Sequence, residues 1–141
     1  WNGEQLMMVD TGGLMPTDSN AIPAAINEQV RIAVSESAAV FFVVDATTGP
    51  TDTDIQIARI IRQNAPGKTL CVVNKAESQR VLEELDSFKA LGLGKAYPVS
   101  AIHGSGVADI LDEAVRLVRE ERAAAGREHG AQVLEQGVGL R

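Results

Sequence analysis

"TLCVVNKAES", residues 69–78, is a buried-strand pattern that runs without a break into a polar cluster. Thr69 to Val73 is short, uncharged and rich in β-branched residues. That favours a strand covered on both faces over a helix. Asn74-Lys75-Ala76-Glu77 then sets an amide, an ammonium and a carboxylate at its carboxyl end. Three other stretches share this form. Gln5 to Val9 runs into Asp10, Ala38 to Val44 into Asp45, and Ala96 to Val99 into Ser100.

Between these strands the apolar spacing changes to three and four. Ile22, Ile26, Val30 and Ala33 share one face of a helix over 21–36. The next helix, capped by Asp52 or Thr53, carries Ile55, Ala58 and Ile61. Val81, Leu82, Leu85 and Phe88 mark a third. The clearest covers 107–122, with Val107, Ile110, Leu111, Ala114, Leu117 and Val118 in one stripe and Arg and Glu opposite. Residues 123–141 are rich in Ala and Gly with weak periodicity and read as a linker or disordered tail. Strand and helix alternate four times. The expected fold is α/β, doubly wound, with a mainly parallel sheet and helices on both faces. Ligands of such sheets sit at the carboxyl ends of the strands. Asp10, Asp45, Asn74-Lys75 and Ser100 are therefore expected along one edge.

Composition narrows the class. Hydrophobic residues make up 45% of the chain and aromatics only 4%, so the core must be Val, Ile, Leu and Ala, as suits a covered parallel sheet. A net charge of -6 argues against a direct nucleic-acid footprint on this chain. The lone Cys71 excludes an internal disulfide framework and fits a reducing compartment. The longest apolar run, Ala38 to Val44, is too short to span a bilayer, so no membrane partner is expected. Trp1 in place of an initiator Met, with Asn2-Gly3 as a hairpin turn, suggests a piece of a longer protein whose preceding strand ends at Trp1.

The strand-end residues carry the chemistry. After the first strand, Asp10 of Asp10-Thr-Gly-Gly13 can hold a Mg²⁺-bound water, and Gly13 lets a backbone N–H approach a γ-phosphate. An ordinary turn accounts for the same four residues. Asn74-Lys75-Ala76-Glu77 is more specific. Guanine presents N1–H and its N2 amino group side by side, and one carboxylate accepts from both. The Asn amide can donate toward N7, and the Lys stem can lie along the base plane. Glu77 offers the two oxygens one methylene further out than Asp would, with one more rotor to fix. A capped helix start explains this stretch equally well. Ser100-Ala101-Ile102 gains weight from its order: the Ala101 N–H could donate to guanine O6, where adenine's amino group would meet donor with donor.

"APGKT", residues 65–69, imitates a phosphate loop, but position 62 is Arg where the pattern needs Gly. Its order, helix then strand, is also reversed. His103 and His129 have no acidic or thiol partners at metal spacing and read as surface residues.

These motifs together resemble the first G domain of the Der (EngA) family, double-G-domain GTPases of bacterial and organellar ribosome assembly. "VDTGGL", "FFVVDATTGPTDTD", "VVNKAES", "LGLGKAYPVSAIHGSG" and "DILDEAV" carry the resemblance, over roughly residues 1–120. The Asn-Lys-x-Glu-Ser variant resembles the cyanobacterial and plastid branch. The resemblance implies a P-loop NTPase fold, incomplete at its N-terminus, with a partial G domain over 1–122. It implies GTP or GDP and Mg²⁺ as ligands, and localisation in the bacterial cytoplasm or chloroplast stroma. Asp10 and Gly13 would serve Mg²⁺ and the γ-phosphate. Asn74, Lys75, Glu77, Ser100, Ala101 and Ile102 would surround guanine. Leu14 stands where many GTPases place a water-orienting Gln, which resembles the subgroup that often uses K⁺ instead. With Gly13 it would belong to the mobile switch.

The departures bear on activity. A first strand, its phosphate loop and the first switch would lie upstream. In the family's fold the first strand lies between the strands ending at Asp10 and Asp45, so its loss would leave a central gap and two open edges. This segment alone is expected to be unstable and without GTPase activity, although the parent protein would hydrolyse GTP in large-subunit assembly and meet the ribosome or its assembly intermediates. The alternative is a degenerate, non-catalytic G-like module that binds a protein or ribosomal partner. A flavodoxin-like module leaves the order of the motifs unexplained.

Overall fold

The computed structural model describes residues 1, 3, 6–10, 24–125 and 131–136. Five parallel strands form one sheet. They are β1 (Leu6–Asp10), β2 (Ala39–Asp45), β3 (Thr69–Asn74), β4 (Ala96–Pro98) and β5 (Ala131–Gln136), in the spatial order β1-β5-β2-β3-β4. The helices are α1 (Ala24–Glu36), α2 (Asp52–Asn64), α3 (Gln79–Glu83) and α4 (Val107–Ala125).

β2 shows why the sheet is covered twice. Ala39 through Val44 are all buried. Side chains alternate across a strand. Val40, Phe42 and Val44 join Val30 and Val34 of α1, Ile57, Ile60 and Ile61 of α2, and Cys71 and Val73 of β3. Ala39, Phe41 and Val43 join Leu70 and Val72 of β3 and Ile110, Ala114, Leu117 and Val118 of α4. One face thus carries α1 and α2, the other α4. The chain crosses from β2 to β4 with helices on the first face and returns to β5 with α4 on the second. Reversing both direction and face keeps one handedness throughout, as the twist of parallel strands requires.

Several boundaries differ from the sequence expectation. α2 is capped by Thr51, whose side chain accepts from the Asp54 N–H while Asp54 accepts from the Thr51 N–H. This reciprocal pair outcompetes Asp52 or Thr53 as the start. Ile55 consequently faces outward, and Ile57 and Ile60 join Ala58 and Ile61 inside. The third helix divides into α3 and a 3-10 turn, Leu85–Leu91, which buries Phe88 and Leu91. The Trp1 indole, expected in a hairpin, donates to Asp112 of α4 at 2.8 Å.

The largest correction concerns the C-terminal region. α4 runs to Ala125, and Ala131–Gln136, read as linker or tail, is strand β5. It occupies the slot between β1 and β2 where a gap was expected. Two facing parallel edges offer unpaired N–H and C=O groups, and pairing them outweighs weak local propensity. The burial of Cys71 pushes its thiol up to about 12, which leaves it an inert core group. Among the described residues no helix is long and apolar enough to cross a membrane.

Candidate functional site

The register of β2, β3 and β4 assembles the site. Asp45 pairs with Asn74, and Val73 with Pro98, so the chains leave the sheet side by side. Backbone bonds continue past the strands: Ala46 N–H to Asn74 O at 2.9 Å, and Ala76 N–H to Val99 O at 3.0 Å. These bonds bring Asn74-Lys75-Ala76-Glu77 against Ser100-Ala101.

Asn74 and Ser100 are both 2% exposed, which leaves their polar atoms dependent on protein partners. Asn74 Oδ1 accepts from the Ala101 N–H at 3.0 Å. Ser100 Oγ donates to Glu77 Oε1 at 3.0 Å and accepts from the His103 N–H at 3.4 Å. The longer acid thus reaches back to the fourth strand's end. A carboxylate has about four lone-pair positions, so this bond leaves Glu77 capacity for further donors. Ile102 is the most exposed large apolar residue described, at 82%.

One detail departs from the sequence reading. The Ala101 N–H, assigned there to guanine O6, is aimed at Asn74. The short loop closing β4 puts it there, so contact with O6 would need a shared bond. His103 is an exposed surface residue, as read, and its Nε2 lies 3.9 Å from Glu77 Oε2. A further feature had no assigned role at all. Lys75 Nζ lies 2.8 Å from Asp45 Oδ2, and Asp45 Oδ1 accepts from the Thr47 N–H at 2.7 Å and its hydroxyl at 2.6 Å. Burial alone would raise the Asp45 pKa. The bonds from Lys75 and Thr47 outweigh it and hold the carboxyl below its ordinary value. The available signal was positional: Asp45 ends the strand beside the one that ends at Asn74.

Backbone conformation is as specific as the side chains. Lys75 has φ 64°, left-handed space that a residue with a Cβ enters at a cost of about 1–2 kcal/mol. Gly106, at φ 76°, closes the loop after Ser100, and a Cβ there would stand 2.4 Å from Pro98 O. Ser100 and Ser105 bridge across this loop.

The phosphate and metal side is different. Gly13 and Leu14 lie outside the described residues. Asp10 ends β1, but it aligns with Glu135 and through it with Phe41. That is four residues before Asp45, about 13 Å of strand. The strand-end residues therefore do not form one level row. Among the described residues no three His, Cys, Asp or Glu side chains form a metal cluster. The Gly67-Lys68-Thr69 imitation sits at the opposite end of the sheet. Lys68 Nζ donates to the carbonyls of Ser35 and Ser37 at the end of α1. It stabilises a helix terminus. The described residues gather polar groups at the ends of β3 and β4, and among them no backbone or side-chain cradle for phosphates is seen.

Residues 1–75 match the family model described as 50S ribosome-binding GTPase. The chain belongs to that GTPase family. It is 46% identical over 119 residues to GTPase Der of Nostoc punctiforme, covering 84% of this chain and 26% of that protein. It is 47% identical to GTPase Der of Prochlorococcus marinus subsp. pastoris over 113 residues, 79% of this chain and 24% of that protein. GTPase Der of Leifsonia xyli is 39% identical over 130 residues, 92% of this chain and 27% of that protein. The resemblance to a Der G domain is thereby borne out, as is its α/β fold. The chain spans about a quarter of the length of these curated relatives.

Proposed function

We propose that this chain is the guanine-reading part of a GTP-binding domain that serves large ribosomal subunit assembly within a longer protein. One observation carries this reading. Asn74, Glu77, Ser100 and Ala101 are locked together by two hydrogen bonds at the ends of β3 and β4. Glu77 supplies the acceptors for N1–H and the N2 amino group, and Asn74 and Lys75 frame the ring. Asp10 would hold Mg²⁺ through a water, with Gly13 toward the γ-phosphate and Leu14 in a switch that leaves water positioning to an ion such as K⁺. No hydrolytic step is assigned to the chain alone. Its buried thiol suits a reducing compartment, bacterial cytoplasm or chloroplast stroma.

The test is base selectivity. Guanosine should bind in preference to adenosine. Glu77→Gln should shift preference toward xanthosine, whose C2 carbonyl needs a donor where guanine offers one. Equal binding of guanosine and adenosine would reject the proposal. A second reading is a non-catalytic module that binds a protein or ribosomal partner. The filling of the sheet's central slot by β5 favours it, and it predicts no binding of Mg·GTP or GDP.

A further inference from the structure

We propose that Asp45 is a positioning residue for the base site: it moors Lys75 so that the lysine stem forms one wall for the purine ring. The proposal rests on the guanine-reading role given to this edge, and it adds a residue outside the three motifs.

The geometry carries it. Lys75 leaves β3 in left-handed backbone, which turns its side chain out of the strand's alternation. A four-carbon stem in solvent samples many rotamers, and a base would have to freeze them on binding. Here the ammonium is already fixed at 2.8 Å by Asp45. Asp45 is itself held by its neighbours. Its side chain is only 14% exposed, and Thr47 donates to its other oxygen twice. Thr47, Asp45 and Lys75 thus form a relay whose free end is the methylene stem. The strands supply the reach, since Asp45 and Asn74 are register partners.

The other charged groups of this edge do not replace Asp45. Glu77 is engaged by Ser100, with His103 beside it. Arg80 pairs with Glu84 on the next turn. Asp54 closes the capping box of α2 with Thr51. Asp45 is thus the carboxylate that lies against the ammonium.

The role has a signature that base-edge recognition lacks. A stem packed on the ring face senses area, not edge pattern. Losing the mooring should weaken every purine alike, whereas losing Glu77 changes selectivity. The probe is the uncharged nucleoside, so that removing an acidic group does not alter attraction for phosphates. Guanosine, inosine and adenosine are titrated by NMR into the full chain, its Asp45→Asn and Asp45→Glu variants, Lys75→Met, and the double variant. Asp45→Asn should weaken guanosine about two- to ten-fold, the entropy of one rotamer-rich side chain. The guanosine-to-inosine ratio should stay constant. Asp45→Glu should recover most of the loss, because it restores a carboxylate within reach. In the Lys75→Met background Asp45→Asn should have no further effect. Full additivity of the two changes would overturn the proposal, as would a Glu variant no better than Asn. So would Asp45→Asn binding like the wild type. If the wild type binds guanosine no better than adenosine, the guanine reading itself fails, and the mooring role falls with it.

Discussion

Removing residues 126–141 takes β5 out of the middle of the sheet. β5 makes five register pairs with β1 and four with β2. In a parallel ladder each paired position corresponds to roughly one hydrogen bond, worth about 0.5–1.5 kcal/mol net. The deletion should therefore cost about 5–14 kcal/mol, comparable to the whole stability of a typical domain. β1 would lose its sheet partner, and β2 would present an open edge, so aggregation should accompany the loss. The composition of β5 works the other way. Ala131-Gln-Val-Leu-Glu-Gln136 brings three polar residues into a slot flanked on both sides, unlike the uninterrupted apolar run of β2. Hydrogen exchange on the full chain decides between these weights. If β5 closes the sheet, amides 131–136 should be protected to the same degree as those of β1. Exchange there at unfolded-chain rates, with β2 and β3 protected, would refute the reasoning. So would a deletion variant that melts within about 2 °C of the full chain, since a shift that small corresponds to well under 1 kcal/mol.

Other outcomes follow from single residues. Asp45→Asn keeps an oxygen for Thr47 but removes the negative charge that pairs with Lys75, and should cost about 1–2 kcal/mol at neutral pH. The folded-state pKa of Asp45 is depressed, so this stabilisation is full above the unfolded value of about 3.9 and is lost as pH falls through the lower folded value. Urea midpoints of variant and wild type should converge only in that acid window. Gly106→Ala combines left-handed strain with a 2.4 Å approach to Pro98 O and should destabilise by about 2–4 kcal/mol in the same assay. Lys68→Ala should lower stability by about 1 kcal/mol through α1 and leave guanosine affinity unchanged, which a nucleoside titration checks. A large loss of GDP affinity there, with guanosine affinity unchanged, would reinstate the Gly67-Lys68-Thr69 motif as a phosphate site.

The fold was legible where a strand is buried on both faces. Runs such as Ala39 to Val44 and Leu70 to Val73 leave little choice of structure, and α4 has an apolar stripe wide enough to define its burial. Ala131–Gln136 was not legible, because what places it is the vacancy between two distant strands rather than its own pattern. The same division holds at the site. In the proposed site, Asn74, Glu77, Ser100 and Ala101 are singled out by residue type and order. Asp45 and His103 are not, since their partners are 30 and 26 residues away and depend on register. Helix ends fell between: Thr51 and Asp54 form a capping box that the sequence contains, but Asp52 and Thr53 compete for it on composition alone.

On the proposed reading, base recognition and phosphate binding would make separate demands on this sheet. A base would need short-range order, which the bonds near 3.0 Å between two adjacent strand ends could provide. A triphosphate extends away from the base and needs N–H donors and a cation further along the same edge. Here the strand beside β2 is β5, and β1 ends four register positions before Asp45. On the resemblance to the family's fold, a strand leading into a phosphate loop would lie between the strands ending at Asp10 and Asp45, which is the slot β5 occupies. The two occupants are mutually exclusive. A segment that supplied both a strand and a phosphate loop would have to displace Ala131–Gln136 first, so nucleotide affinity and exposure of the C-terminal segment should rise together.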